Sequence, residues 1–152
     1  MADSTTASIA VGAPPAVIMD VISDFAAYPE WASGIRAAEV LARHGTGLAS
    51  RVRFQLDAGP IKDSYVLGYR WDGTAGVRWE LAEPGSVVSG MAGGYLLADG
   101  DGDGGTVVTY DLAVDVRIPM LGMLKRRAEK MIIDTALRGL KERAEARGGE
   151  QR

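Results

Sequence analysis

Few side chains in this 152-residue sequence are suited to polar chemistry, and their types narrow what that chemistry is. There is no cysteine and a single histidine, His44. Thiolate catalysis, disulfides and Cys-containing zinc sites are thereby excluded, as is a multi-histidine metal site within one chain. Any Ser-His or His-carboxylate mechanism has to pass through His44. That residue stands in His44-Gly45-Thr46-Gly47, a turn signal, which marks it as an exposed loop histidine.

A second cluster, Asp99-Gly100-Asp101-Gly102-Asp103-Gly104, supplies aspartates at the first, third and fifth positions of a calcium loop and glycine at the sixth. The twelfth position, which needs a bidentate glutamate, is Tyr110, and the flanks read as strands. The same stretch spells Gly100-x-Gly102-x-x-Gly105, a dinucleotide pattern. It opens a strand and not a helix, however, and its aspartates would repel a pyrophosphate. A solvated hairpin loop accounts for both matches, so neither metal nor cofactor is expected.

What remains is aromatic. Tyrosine (5) and tryptophan (3) outnumber phenylalanine (2), so most rings carry a polar tip. Tyr65, Tyr69, Trp71, Trp79, Tyr95 and Tyr110 are either ordinary sheet core or a cavity wall offering rings and hydroxyl donors. Asp63, Tyr65, Arg70, Tyr95 and Tyr110 are the candidates for proton transfer. Arg53, Arg70 and Glu80 fall on the polar side of their strands. Asp63 is the carboxylate to follow, because it shares parity with Ile61, Tyr65 and Tyr69. If it points inward, its pKa is perturbed.

These residues are positioned by a simple order of elements. Ser4 to Val11 is a short strand. Pro14-Pro15 opens a helix over Ala16 to Phe25, and Tyr28-Pro29-Glu30-Trp31 turns into a second short one. From about Arg36 the period changes to two. Phe54 and Leu56 alternate with Arg53 and Gln55; Tyr65, Leu67, Tyr69 and Trp71 share one face; Trp79, Tyr95 and Tyr110 follow on later strands. Gly59-Pro60, Asp72-Gly73 and Glu83-Pro84-Gly85 supply turns. Gly90, Gly93 and Gly94 interrupt a strand, which predicts a bulge, a close approach of the helix, or room for a ligand. Pro119 opens a long helix to about Ala146, with Met120, Leu124, Ala128, Ile132, Ala136 and Leu140 at i+4 spacing and Met131 and Leu137 flanking them. Gly148-Gly149 is its predicted stop. A twisted antiparallel sheet buries its own apolar face and that of one long helix by curling around the helix, and such a fold tends to hold a cavity.

The balance of 17 basic and 20 acidic residues gives a formal charge of −3, so no concentrated basic face and no nucleic-acid partner are expected. The N-terminus carries neither a basic nor an apolar leader region, and no apolar run approaches the length of a membrane span. A soluble cytoplasmic protein is expected. Lys125-Arg126-Arg127, after Met120-Leu121-Gly122-Met123-Leu124, reads as an apolar lip with a basic rim, a composition suited to transient membrane contact during ligand exchange.

The segment Val21-Ile22-Ser23-Asp24-Phe25-Ala26-Ala27-Tyr28-Pro29-Glu30-Trp31, the element order and the terminal helix opening at Ile118-Pro119 resemble the SRPBCC superfamily over essentially the whole chain. That superfamily includes START-related lipid-binding domains, coenzyme-Q-binding proteins and the bacterial polyketide cyclase/dehydrases. The resemblance implies an α+β helix-grip fold: a curved antiparallel sheet of about six to seven strands around one long C-terminal helix, with two short helices after the first strand. It also implies a deep apolar cavity and a hydrophobic ligand. One domain over residues 1–147 with a frayed tail at 148–152 is expected. The expected function is enclosure of a lipid, polyketide or ring-bearing metabolite by Phe54, Tyr65, Leu67, Tyr69, Trp71, Trp79, Tyr95, Tyr110, Leu124, Ala128, Met131 and Ile132. Two alternatives stand beside it, a polyketide cyclase/aromatase or dehydratase and a protein-interaction module. The chain is expected to be a monomer or homodimer.

Overall fold

The computed structural model describes residues 4–32, 34–58, 61–100, 105–117 and 122–150, and their side chains except those of residues 58, 61, 122–125 and 148–150. The Gly59-Pro60 turn, the aspartates of the 101–104 loop, the helix opening at 118–121 and the side chains of Leu124 and Lys125 lie outside the described residues.

Strand β1 (Thr5–Val11) is followed by helix α1 (Pro15–Ser23). Pro14 precedes it in extended conformation and Pro15 occupies the first turn, where a missing N–H costs nothing. Val17, Ile18, Val21 and Ile22 form its buried face. The helix stops two residues earlier than the periodicity predicts. Asp24 leaves the helical region, and Phe25–Ala27 form a single 3-10 turn before α2 (Tyr28–Trp31). That corner buries Phe25, Tyr28 and Trp31 as a contiguous set of rings.

Six strands then run as a meander: β2 (Ile35–Arg43), β3 (Ala49–Ala58), β4 (Ile61–Asp72), β5 (Gly76–Glu83), β6 (Val88–Asp99) and β7 (Thr106–Val116). β1 pairs with β7, giving one seven-stranded antiparallel sheet in the order β1-β7-β6-β5-β4-β3-β2. Alternation places every second side chain on the concave face. One inward row crosses the sheet through Tyr69, Trp79, Gly93 and Leu112, each opposite the next. The register shift between Val88 and Gly90 is the bulge predicted from the glycines of β6. What approaches Gly93 is the Trp79 ring and not the helix: a Cβ there would stand 3.2 Å from Cζ2 of the indole.

Helix α3 (Gly122–Glu150) lies against β1, β7, α1 and α2. It continues through Gly148 and Gly149, the predicted stop. Its buried stripe is Glu129, Ile133, Leu137, Leu140 and Ala144. Of the expected stripe, Leu140 is buried, Ala128, Ile132 and Ala136 form the half-buried flank, and the side chains of Met120 and Leu124 lie outside the described residues. No helix among the described residues is long and apolar enough to cross a membrane.

Candidate functional site

Between the concave face of the sheet and α3 lies a cavity of about 130 Å³. Its floor is aromatic. Phe54, Tyr65, Tyr69, Trp79, Tyr95 and Tyr110 are buried and form one connected set: Phe54 meets Tyr65 at 6.0 Å and Tyr69 at 6.4 Å between centroids, Tyr69 meets Trp79 at 5.7 Å, Trp79 meets Tyr95 at 5.5 Å, and Tyr95 meets Tyr110 at 4.6 Å. Period-two spacing on five adjacent strands, β3 to β7, puts these rings on one face, and their stacked and tilted contacts hold them as a continuous surface. Tyr28 and Trp31 close the floor from the corner after α1. The rim is aliphatic and half-buried, formed by Ile35, Leu56, Met91, Val114 and Val116 from the sheet and by Ala128, Ile132 and Ala136 from α3.

The tyrosines are hydrogen-bond donors and not bases. Burial pushes the hydroxyls of Tyr65, Tyr69, Tyr95 and Tyr110 well above the ordinary phenol range, with neighbouring tyrosines and acidic groups adding to it. The Tyr28 hydroxyl donates to the carbonyl of Ile22 and so belongs to the scaffold. The Trp79 indole N–H is buried without a partner among the described residues. A buried donor left unpaired carries its full desolvation penalty.

Among the described residues one charged side chain reaches this cavity, and the apolar periodicity of α3 conceals it. Glu129 is only 2% exposed and lines the cavity. Its Oε1 accepts from the Thr5 hydroxyl and its Oε2 from the Val114 N–H, both at 2.8 Å. The signal available in the sequence is its position four residues before Ile133 and eight before Leu137, on the stripe that is in fact buried.

Phe54, Tyr65, Leu67, Tyr69, Trp79, Tyr95, Tyr110, Ala128 and Ile132 line the cavity, whereas four of the expected residues do not. Met131 is 66% exposed, because the helix is rotated so that its neighbours on either side in space, not Met131, face inward. Trp71 packs beyond the floor, stacked on Tyr69, with its indole N–H donated to Ala49 O at 2.7 Å. Arg70 is exposed on the outer face, opposite Arg78. Asp63 keeps the inward parity but turns to the β5–β6 turn: it accepts from the N–H groups of Ser86, Val87 and Val88 at 2.8, 3.0 and 2.7 Å. Burial alone would raise its pKa, and these backbone donors, with Ser64, outweigh that and lower it. Asp63 therefore ties the β5–β6 turn and is no proton donor at neutral pH. His44 is exposed, its Nε2 2.9 Å from Tyr69 O, outside the cavity. Among the described residues no cluster of acidic or histidine side chains is arranged to hold a metal ion.

A family model described as polyketide cyclase / dehydrase and lipid transport matches residues 11–141. No curated protein matches the sequence. Solved structures similar in fold include a START superfamily protein from Mycobacterium smegmatis, at TM-score 0.84 and 20% identity, covering 98% of this chain and 99% of that one. A protein from Thermus thermophilus follows at TM-score 0.76 and 23% identity, covering 95% and 98%. The Zhui aromatase/cyclase from a Streptomyces species superposes at TM-score 0.78 and 15% identity, covering 97% and 96%. At these identities the likenesses establish the helix-grip fold.

Proposed function

The chain belongs to the polyketide cyclase / dehydrase and lipid transport family, within the SRPBCC superfamily, and on that premise we propose that it encloses a small ring-bearing hydrophobic molecule in the cavity under α3. The observation that carries this reading is the cavity of about 130 Å³ with a floor of six touching aromatic rings. An apolar cavity of about 150 Å³ takes up benzene, so the space suits one ring or one end of a longer chain. Aromatic walls favour a planar guest, and neutral tyrosine hydroxyls supply donors for its oxygen atoms. The test is to extract the purified protein and identify what leaves with it by mass spectrometry. A recurrent ring-bearing molecule in a fixed ratio to protein supports the reading. An empty extract, together with no uptake of small aromatic probes, refutes it.

A second reading, an aromatase/cyclase or dehydratase, draws support from Glu129 and the tyrosine hydroxyls bordering one apolar space. Asp63 and Arg70 lend it nothing, since both lie away from the cavity. Cyclisation or dehydration of a poly-β-keto substrate analogue, lost on removal of Glu129 but not of Asp63, would favour it over simple enclosure.

A further inference from the structure

We propose that Glu129 anchors the ligand by accepting a hydrogen bond, so that the molecule held is a ring carrying a hydroxyl and not a plain hydrocarbon. This rests on the cavity being the binding site. A carboxylate offers about four lone-pair directions. Glu129 uses one on Thr5 and one on Val114, both at 2.8 Å. Both partners are neutral donors, so neither offsets its charge. Among the described residues no lysine, arginine or histidine forms an ion pair with it. A charge this deeply buried is costly unless its remaining acceptor capacity is filled.

The surroundings say what fills it. Apart from Glu129, the described groups bordering the cavity are rings, apolar side chains, the tyrosine hydroxyls of the floor and the Trp79 indole. A ligand hydroxyl therefore finds a fixed acceptor on the helix side. Thr5 and Val114 hold the carboxylate in place from two different strands, so the acceptor is pre-oriented and little ordering is needed on binding. A purely structural tie would predict no preference for a donor-bearing guest. The anchor predicts a strong one.

The test compares three rings of similar size, toluene, anisole and phenol, titrated into the intact chain at neutral pH by calorimetry or ligand-observed NMR. Toluene has no polar atom, anisole only an acceptor, and phenol a donor as well. The expected result is that phenol binds about tenfold or more tighter than either other ring, as a hydrogen bond to a charged acceptor implies. In Glu129→Gln, where a neutral acceptor replaces a charged one, the preference falls by about fivefold or more. The wild-type series decides the matter even if that variant does not fold. Anisole binding as tightly as phenol would assign the oxygen to the donors of the floor, the tyrosine hydroxyls or the Trp79 indole N–H, and overturn the anchor. Toluene binding tightest would overturn it too, while leaving the cavity reading intact. Failure of all three rings to bind would remove both.

Discussion

The Thr5 hydroxyl donates to Glu129 Oε1 across 2.8 Å, tying the first strand to the last helix over 124 positions of sequence. The same carboxylate takes the Val114 N–H, so β1, β7 and α3 meet at one buried group on the cavity wall. Thr5→Val removes one of these bonds and leaves a buried oxygen short of a donor. It should cost about 1–3 kcal/mol in urea denaturation. The Ser8–Thr109 hydroxyl pair, also at 2.8 Å but exposed, is the control. Ser8→Ala should stay within about 0.5 kcal/mol.

Ala128 borders the cavity from α3, where a larger side chain would project into free space. Ala128→Phe should lower toluene binding by more than about tenfold. Overpacking should cost no more than about 1–3 kcal/mol. A variant that melts cooperatively and binds toluene as the wild type does would place the guest elsewhere.

Gly93 faces Trp79 and Leu112 across the sheet. A Cβ there would lie 2.5 Å from the Asp111 carbonyl and 3.2 Å from the indole. Backbone cannot yield as a flexible side chain does. Gly93→Ala should therefore destabilise by about 1–3 kcal/mol and displace the Trp79 ring, visible as a shift in tryptophan fluorescence.

Asp63 holds the β5–β6 turn, and its carboxylate lies over Gly85, where an added Cβ would collide with it. Its pKa is lowered in the fold, so the stability it contributes is present above the unfolded value near 3.9 and is lost as pH falls through the folded value below that. Asp63→Asn should cost about 1 kcal/mol at pH 7, allowing for solvent screening. The gap between variant and wild type should close below about pH 4. A gap that persists unchanged at pH 2 would mean that charge plays no part.

All five tyrosines have hydroxyl pKa values raised by burial. A folded-state pKa above the unfolded value means that the stability is present below about pH 10 and is lost as pH rises through the folded value. Ultraviolet titration should show no tyrosinate at about pH 10.5 in the native protein, then its cooperative appearance with unfolding. Gradual ionisation of several tyrosines in the folded chain would contradict the closed aromatic floor.

Local periodicity carried most of the fold. Strands β3 to β7 follow from period-two alternation punctuated by Gly, Pro and Asp, because side-chain direction in a strand depends on neighbours one and two residues away. The aromatic floor follows from the same parity: Tyr65, Tyr69, Trp79, Tyr95 and Tyr110 had to share a face once their strands paired in register. Tertiary structure decided where that face ends and what completes it. Parity cannot show that Trp71 passes beyond the floor, since the limit is set by the ring of Phe25 arriving from the corner after α1. It cannot show that Asp63 spends its carboxylate on a turn more than twenty residues away in sequence. The rotation of α3 is the largest such case. Its apolar residues are spread broadly enough to allow two stripes one residue apart. Packing against β1 and β7 chose the stripe containing Glu129, exposed Met131 and set a glutamate on the cavity wall, where Thr5 and Val114 each supply it a donor.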